Sequence, residues 1–282
     1  MKKASYLGEV ISFFDPMQSL DSTSFDWYVE RPDSPHQDMK VFLLNNQADA
    51  KILFSGHRGS GKSSTLNKLA SDLDIQQKFF LVQFSIKEEL NVADLTYTDL
   101  LVAIGHRLYQ DAEKRVWLDE KLKKDLDQWS AEVSRVWSTK DEAAVQVQAG
   151  ISAWFLKAKG LLKTSYEDKK EFRQKFEPRV PQLIEFISRI IRAIETHPEA
   201  ENREVLIIVE DLDKPTLDVA VDLFYIKGPI LVQPQCKIIF TVPTALLYSG
   251  KYRVVRETFS PQFILPNFKI HLRMVSWLRD IL

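Results

Sequence analysis

One cysteine, Cys236, and nine glycines in 282 residues are the scarcities that bound this chain. A lone thiol forms no internal disulfide, which excludes a stapled secreted scaffold and fits a reducing, cytosolic setting. Charge of one sign is lacking too. Thirty-eight Lys and Arg against 39 Asp and Glu leave a net charge of −1, so no bulk field draws nucleic acid or an anionic membrane. Long apolar runs are missing: no stretch approaches about 18 uncharged apolar residues, and no transmembrane helix is expected. The start, Met1-Lys2-Lys3, opens like a secretory leader, but Glu9 and Asp15 interrupt its apolar region and no small-residue cleavage site follows. Internal repeats and low-complexity tracts are absent. What is present is a globular composition, 45% apolar and 27% charged, at a length that suits one large domain or a core with an insertion.

Along the chain, residues 1–33 read as irregular structure. Ser34-Pro35 then caps a helix through about Asn46. Lys51-Ile52-Leu53-Phe54 is a short buried strand, followed by a Gly/Ser-rich loop and a helix over Lys62–Leu73. Phe79–Phe84 reads as a second strand. Between Lys87 and Glu204 no further parallel strand is expected. That stretch has helical periodicity over Leu95–Lys114, Val116–Trp137 and Tyr166–Thr196, the last broken near Pro178 and Pro181. Val145-Gln146-Val147-Gln148 alternates like a strand or hairpin arm. Val205–Val209 is the strongest buried-strand pattern, followed by a helix around Leu217–Tyr225, a strand over Lys237–Val242 and a short strand near Phe263–Leu265. A final helix from about Met274 reaches Leu282 without a capping signal, as though more protein normally follows. Strands alternating with helices predict an α/β fold of three layers, with a central, mostly parallel sheet and a mainly helical insertion. The expected divisions are 1–86, 87–204 and 205–282.

The motif that carries chemistry is Gly56-His57-Arg58-Gly59-Ser60-Gly61-Lys62-Ser63, a full match to G-x-x-x-x-G-K-[ST], with Ser64 next. Its glycines let consecutive amides turn inward around a phosphate, and the helix that follows adds its N-terminal dipole. Lys62 is the ammonium for the β- and γ-phosphates, and the Ser63 hydroxyl is a Mg²⁺ ligand. The second element is Val205–Val209 running into Glu210-Asp211-Leu212-Asp213-Lys214. Acids at the carboxyl end of a parallel strand face the ligand crevice. Glu210 is assigned to the metal and Asp211 to activation of water, with Asp213 as the alternative base or a helix cap. His57, His106, His197 and His271 form no metal-ligand spacing with Cys236.

Together these segments resemble the P-loop ATPases with an additional catalytic acid, and within them the STAND and AAA+ group. Glu210–Lys214 is similar to the Asp-Asp-Leu-Asp-Arg ending of KAP and STAND ATPases, with Glu in place of the first Asp. Tyr28-Val29-Glu30-Arg31-Pro32 resembles their Val-x-Arg element, which implies that Val29 and Arg31 lie against adenine. The resemblance further implies ATP as the nucleotide, Thr241 as a γ-phosphate sensor, and an arginine finger at Arg253 or Arg256; read without it, these two are surface charges. It covers about residues 25–85 and 204–270. A simple crossover needs about 30 residues, so roughly 80–90 residues of the intervening section are extra. They hold Trp117, Trp129, Trp137 and Trp154. The Lys- and Arg-rich run 157–179 reads as a solvated helix face with (i, i+4) pairs, or as a patch for nucleic acid or an acidic partner.

Three functions compete. The first is a Mg²⁺-dependent ATPase acting as a regulatory switch, with a homo-oligomer or protein partner. The others are a non-hydrolytic nucleotide-binding assembly module and a small-molecule phosphotransferase. The doubled acid favours water as the acceptor, and no arginine lid for a metabolite is visible. A transport-type ATPase is disfavoured because Tyr248-Ser249-Gly250-Lys251 matches its signature poorly. The family resemblance implies roles in bacterial signalling or defence.

Overall fold

A computed structural model describes residues 7–8, 18–46, 49–137, 140–163 and 166–267. The final helix expected from Met274 lies outside the described residues. In chain order the main elements begin with α1 (His36–Asn45), β1 (Lys51–Gly56), α2 (Lys62–Ala70), α3 (Leu73–Lys78) and β2 (Phe79–Ser85). Next come α4 (Tyr97–Lys114), α5 (Glu120–Trp137), α6 (Lys140–Leu161), α7 (Tyr166–Phe176) and α8 (Val180–Thr196). The chain continues through β3 (Glu204–Glu210), α9 (Leu217–Val221), β4 (Lys237–Val242), α10 (Tyr252–Thr258) and β5 (Gln262–Leu265).

The five strands form one sheet in the order β2-β3-β4-β1-β5, and every pairing is parallel. Both faces of such a sheet must be covered, which is why its strands are apolar runs rather than alternating ones. The two faces bury different residues. Leu53, Val205, Ile207, Val209, Ile238 and Phe240 point into the larger core, shared with α4, α8 and the insertion. Ile52, Phe54, Leu206, Ile208 and Ile239 point to the smaller one, closed by Met39, Leu43, Leu66, Leu69 and Ile75 of α1, α2 and α3. The result is three layers. Each fully buried aliphatic side chain contributes about 1.5–3 kcal/mol, and Val205–Val209 are all buried.

Several expected elements are corrected. The helix expected over Lys62–Leu73 ends at Ala70, because the Asp72 side chain accepts from the Asp74 amide (3.0 Å) and caps a separate α3. The second insertion helix starts at Glu120, not Val116, whose φ of +59° is incompatible with a helix. Val145–Gln148 is not a strand; it lies within the first half of α6. That helix breaks at Gly150 (φ +71°), where the Asp127 carboxylate accepts from the Ile151 amide at 2.7 Å. A Cβ on Gly150 would stand 2.8 Å from the same carboxylate oxygen. Pro178 sits in the 3₁₀ turn that separates α7 from α8, whereas Pro181 occupies the first turn of α8 and breaks nothing.

The insertion is held by aromatic and ionic contacts. Trp129 packs edge-on against Trp154 (4.9 Å between centroids) and near Phe186 (5.2 Å), and Phe172 stacks on Phe176. The basic run is only in part a solvated face: Lys175 makes the expected (i, i+4) pair with Glu171 at 2.6 Å and Lys163 and Lys170 are exposed, but Lys169 pairs with Asp94 at 3.0 Å and Arg173 forks onto Asp99, docking α7 on the start of α4. Among the described residues, no helix is long and apolar enough to cross a membrane.

Candidate functional site

β1 ends at Gly56, where the chain leaves the sheet between β4 and β5. A Cβ there would meet the Leu265 carbonyl at 2.9 Å and the Ser60 hydroxyl at 2.8 Å, so only glycine permits this packing. His57 and Arg58 make the turn, Gly59 (φ +78°) and Gly61 (φ +91°) take left-handed conformations, and Gly61 caps α2. The first amides of α2, those of Lys62, Ser63 and Ser64, have no intrahelical acceptor by helix geometry. They face the cradle that this loop forms. The Ser60 hydroxyl is buried without a hydrogen-bond partner among the described residues.

Lys62 folds back over the loop. Its ammonium donates to the carbonyls of Gly56 (2.9 Å) and His57 (3.1 Å) and pairs with Asp213 at 2.9 Å. Both partners of that pair are nearly buried, at 8% and 7% exposure. The loop and the acidic strand end therefore meet, and Asp213 makes the contact. Glu210, the last residue of β3, lies within hydrogen-bond reach of Ser63, and Gln83 of β2 donates to its carboxylate at 2.7 Å. Burial raises the Glu210 pKa, with Asp211 and Asp213 pushing the same way and the bonds from Ser63 and Gln83 opposing.

The chain reverses at Asp211, whose φ of +64° is left-handed. Aspartate tolerates that conformation better than most residues, at a cost of about 1 kcal/mol. The reversal points successive acids in different directions. Glu210 reaches α2 and Asp213 reaches Lys62, while Asp211 accepts from the Ser85 hydroxyl at 2.7 Å and stands 3.7 Å from Lys214.

Thr241, expected as a phosphate sensor, has its hydroxyl engaged with the acid loop: it accepts from the Leu212 amide (3.0 Å) and donates to the Val209 carbonyl (3.3 Å). Its geometry is that of a brace. Arg31 is buried, with its guanidinium donating to the carbonyls of Ser60 and Pro266, both at 2.6 Å. It ties the loop to the segment after β5, and Val29, two residues earlier, is about half exposed. Ser64 accepts from the Leu20 amide at 3.0 Å, tying the N-terminal segment to α2. Arg253, 91% exposed, pairs with Glu257 one turn on, and Arg256 is exposed on the same helix.

Gln83, Ser85 and Asn67 were not singled out by the sequence patterns. A signal for them exists: Gln83 and Ser85 are the polar residues in the carboxyl-terminal half of an otherwise apolar strand, and Asn67 follows Ser63 by one helical turn. The two cavities described, of about 270 and 220 Å³, lie in the insertion and beside α4 and do not include the loop.

A carboxylate and a hydroxyl converging beside a phosphate cradle fit Mg²⁺, which takes few protein ligands and completes its shell with phosphate and water. No cluster of three or more His, Cys, Asp or Glu suited to a metal occurs among the described residues. The orphaned Ser60 hydroxyl and the free amides fit a phosphate-bearing ligand.

A strand, a glycine-rich phosphate loop and a helix, faced by acids from another parallel strand, define a P-loop nucleotide-binding domain. The model of the KAP family P-loop domain matches residues 42–247, and the chain belongs to that family. No curated protein matches the chain.

Proposed function

We propose that the protein is an ATPase of the additional-catalytic-acid class that acts as a regulatory switch. The observation that carries this reading is the convergence of Lys62 on Asp213 and of Ser63 on Glu210, from strands separated by β4. In it, the amides from Gly59 to Ser64 hold the β- and γ-phosphates, and Lys62 leaves Asp213 to contact them. Asp213 is thus a counter-ion that keeps Lys62 in place until a triphosphate competes for it. Ser63 and Glu210 would hold Mg²⁺, which neutralises charge between the phosphates. Asp211, fixed by Ser85, accepts the proton of the attacking water. Val29 and Arg31 lie on the adenine side, with Arg31 acting through its grip on the loop. Thr241 holds the acid loop in register.

Two observations favour water over a metabolite as acceptor: two further acids follow Glu210, and Asp211 is a quarter exposed. The test is Mg²⁺-dependent phosphate release from ATP. Lys62→Ala is expected to abolish it by removing the charge that steadies the transferring phosphate, with ATP still bound but more weakly, and Asp211→Asn to abolish it while ATP binding is kept. Phosphate release by Lys62→Ala at the parental rate would refute the site. Phosphate transfer to a metabolite in place of free phosphate would favour the kinase reading.

A further inference from the structure

Glu210 is a flexible carboxylate in a buried place, and something must aim it. Gln83 Nε2 donates to Glu210 Oε1 and to Asn67 Oδ1, both at 2.7 Å. Asn67 Nδ2 in turn donates to the Leu20 carbonyl at 2.8 Å. Leu20 is itself pinned, since its amide donates to the Ser64 hydroxyl.

The direction of every bond in this chain is forced. A carbonyl only accepts, so the Asn67 nitrogen faces Leu20 and its oxygen faces β2. Asn67 Oδ1 and the Glu210 carboxylate also only accept, so the nitrogen of Gln83 stands between them and spends one hydrogen on each. An inverted amide would set oxygen against carboxylate. Gln83 enters from the strand paired with β3, with Gln83 opposite Ile208 in register, so its backbone is fixed by the sheet.

We infer that Gln83 is a positioning residue for Glu210, and that Asn67 and the Leu20 carbonyl set the polarity with which it acts. The inference rests on the proposed reading of Glu210 as the metal-side acid. Bound to Gln83, the carboxylate keeps one oxygen occupied and turns toward Ser63, so the two protein ligands for Mg²⁺ are aligned before the ion arrives. Without that bond the side chain regains rotamer freedom, and the ordering cost falls on metal binding. Partners one shell out from a metal ligand typically matter 10- to 100-fold in affinity.

The experiment measures binding of a non-hydrolysable ATP analogue to the full chain, once with Mg²⁺ and once with EDTA. Wild type is expected to bind more tightly with Mg²⁺. Gln83→Leu should cut that Mg²⁺ enhancement about 10- to 100-fold while leaving affinity in EDTA unchanged. Asn67→Ala should act in the same direction by less, and it carries the test if Gln83→Leu does not fold. Undiminished Mg²⁺ enhancement in the folded variant overturns the inference and leaves the functional reading standing. Equal weakening in Mg²⁺ and EDTA also overturns it, because the role would then be structural. A wild type that binds the analogue but gains nothing from Mg²⁺ removes the metal role of Glu210 as well. Failure of wild type to bind at all refutes the nucleotide reading.

Discussion

Replacing Asp213 by Asn removes the competitor for Lys62 while keeping its volume. At 2.9 Å and an effective dielectric of about 20, the pair attracts by about 6 kcal/mol before desolvation. Desolvating two nearly buried groups offsets most of that, and a charge-assisted hydrogen bond retains about 1.5–3 kcal/mol net. Lys62 keeps its two carbonyl acceptors in the variant, so the loop does not lose its shape. A triphosphate that must displace Asp213 works against this amount, and Asp213→Asn should bind ATP about 10- to 100-fold more tightly. The assay is a titration with a fluorescent, non-hydrolysable ATP analogue in EDTA, which keeps metal ligation out of the comparison. Because removing any nearby negative charge favours an anion, the same substitution is also made in a Lys62→Ala background. There the tightening should vanish. Equal tightening in both backgrounds, or none in either, refutes the idea that Asp213 acts through Lys62.

Arg31→Ala should lower stability by about 3 kcal/mol, since it strips charge-assisted bonds from the buried Ser60 carbonyl and the part-buried Pro266 carbonyl; urea unfolding measures this, and Arg31→Lys should not restore it because one ammonium cannot fork. Acid lability should trace to Glu89, which sits between Lys159, His106 and Arg107. Burial by itself would raise its pKa, but His106 at 3.7 Å and the adjacent Lys159 ammonium bring it from 4.5 down to about 2. A carboxylate depressed by folding stabilises above its unfolded pKa, so about 3 kcal/mol is present at neutral pH and lost as pH falls from about 5 to 2. Glu89→Gln should flatten that limb of the stability profile; an unchanged limb contradicts the assignment. Cys236 is buried and its thiol is pushed up to about 12. An alkylating reagent at pH 8 should therefore label it only after unfolding, and stoichiometric labelling of the native protein would contradict the burial.

The sheet was legible because its strands are buried on both faces, so Val205–Val209 and Ile238–Phe240 stand out as unbroken apolar runs. The phosphate loop was legible because close packing at Gly56 and left-handed backbone at Gly59 and Gly61 leave few alternatives to glycine. Other features depend on long-range geometry. Nothing local distinguishes Asp213 from Asp211; the left-handed turn at Asp211 sends one toward Lys62 and the other toward Ser85. The period-two pattern of Val145–Gln148 suggested a strand, but the segment is helical as far as the break at Gly150, where Asp127 of a neighbouring helix accepts from the Ile151 amide. Lys169 and Arg173 looked solvated because their partners, Asp94 and Asp99, lie more than 70 residues earlier. Thr241 was read for its place at a strand tip, and its bonds to two backbone groups of the adjoining strand end could not be foreseen from its neighbours in the chain.

The place of β4 between β1 and β3 has a metric consequence. Neighbouring strands stand about 4.8 Å apart, so the loop-bearing strand and the acid-bearing strand are held about 10 Å from one another. That gap is a fixed gauge, closed at present by the reach of a lysine toward an aspartate. Widening or narrowing it would require breaking the ladder through β4, so a ligand seated there meets walls of set separation and the adjustable parts are the side chains alone.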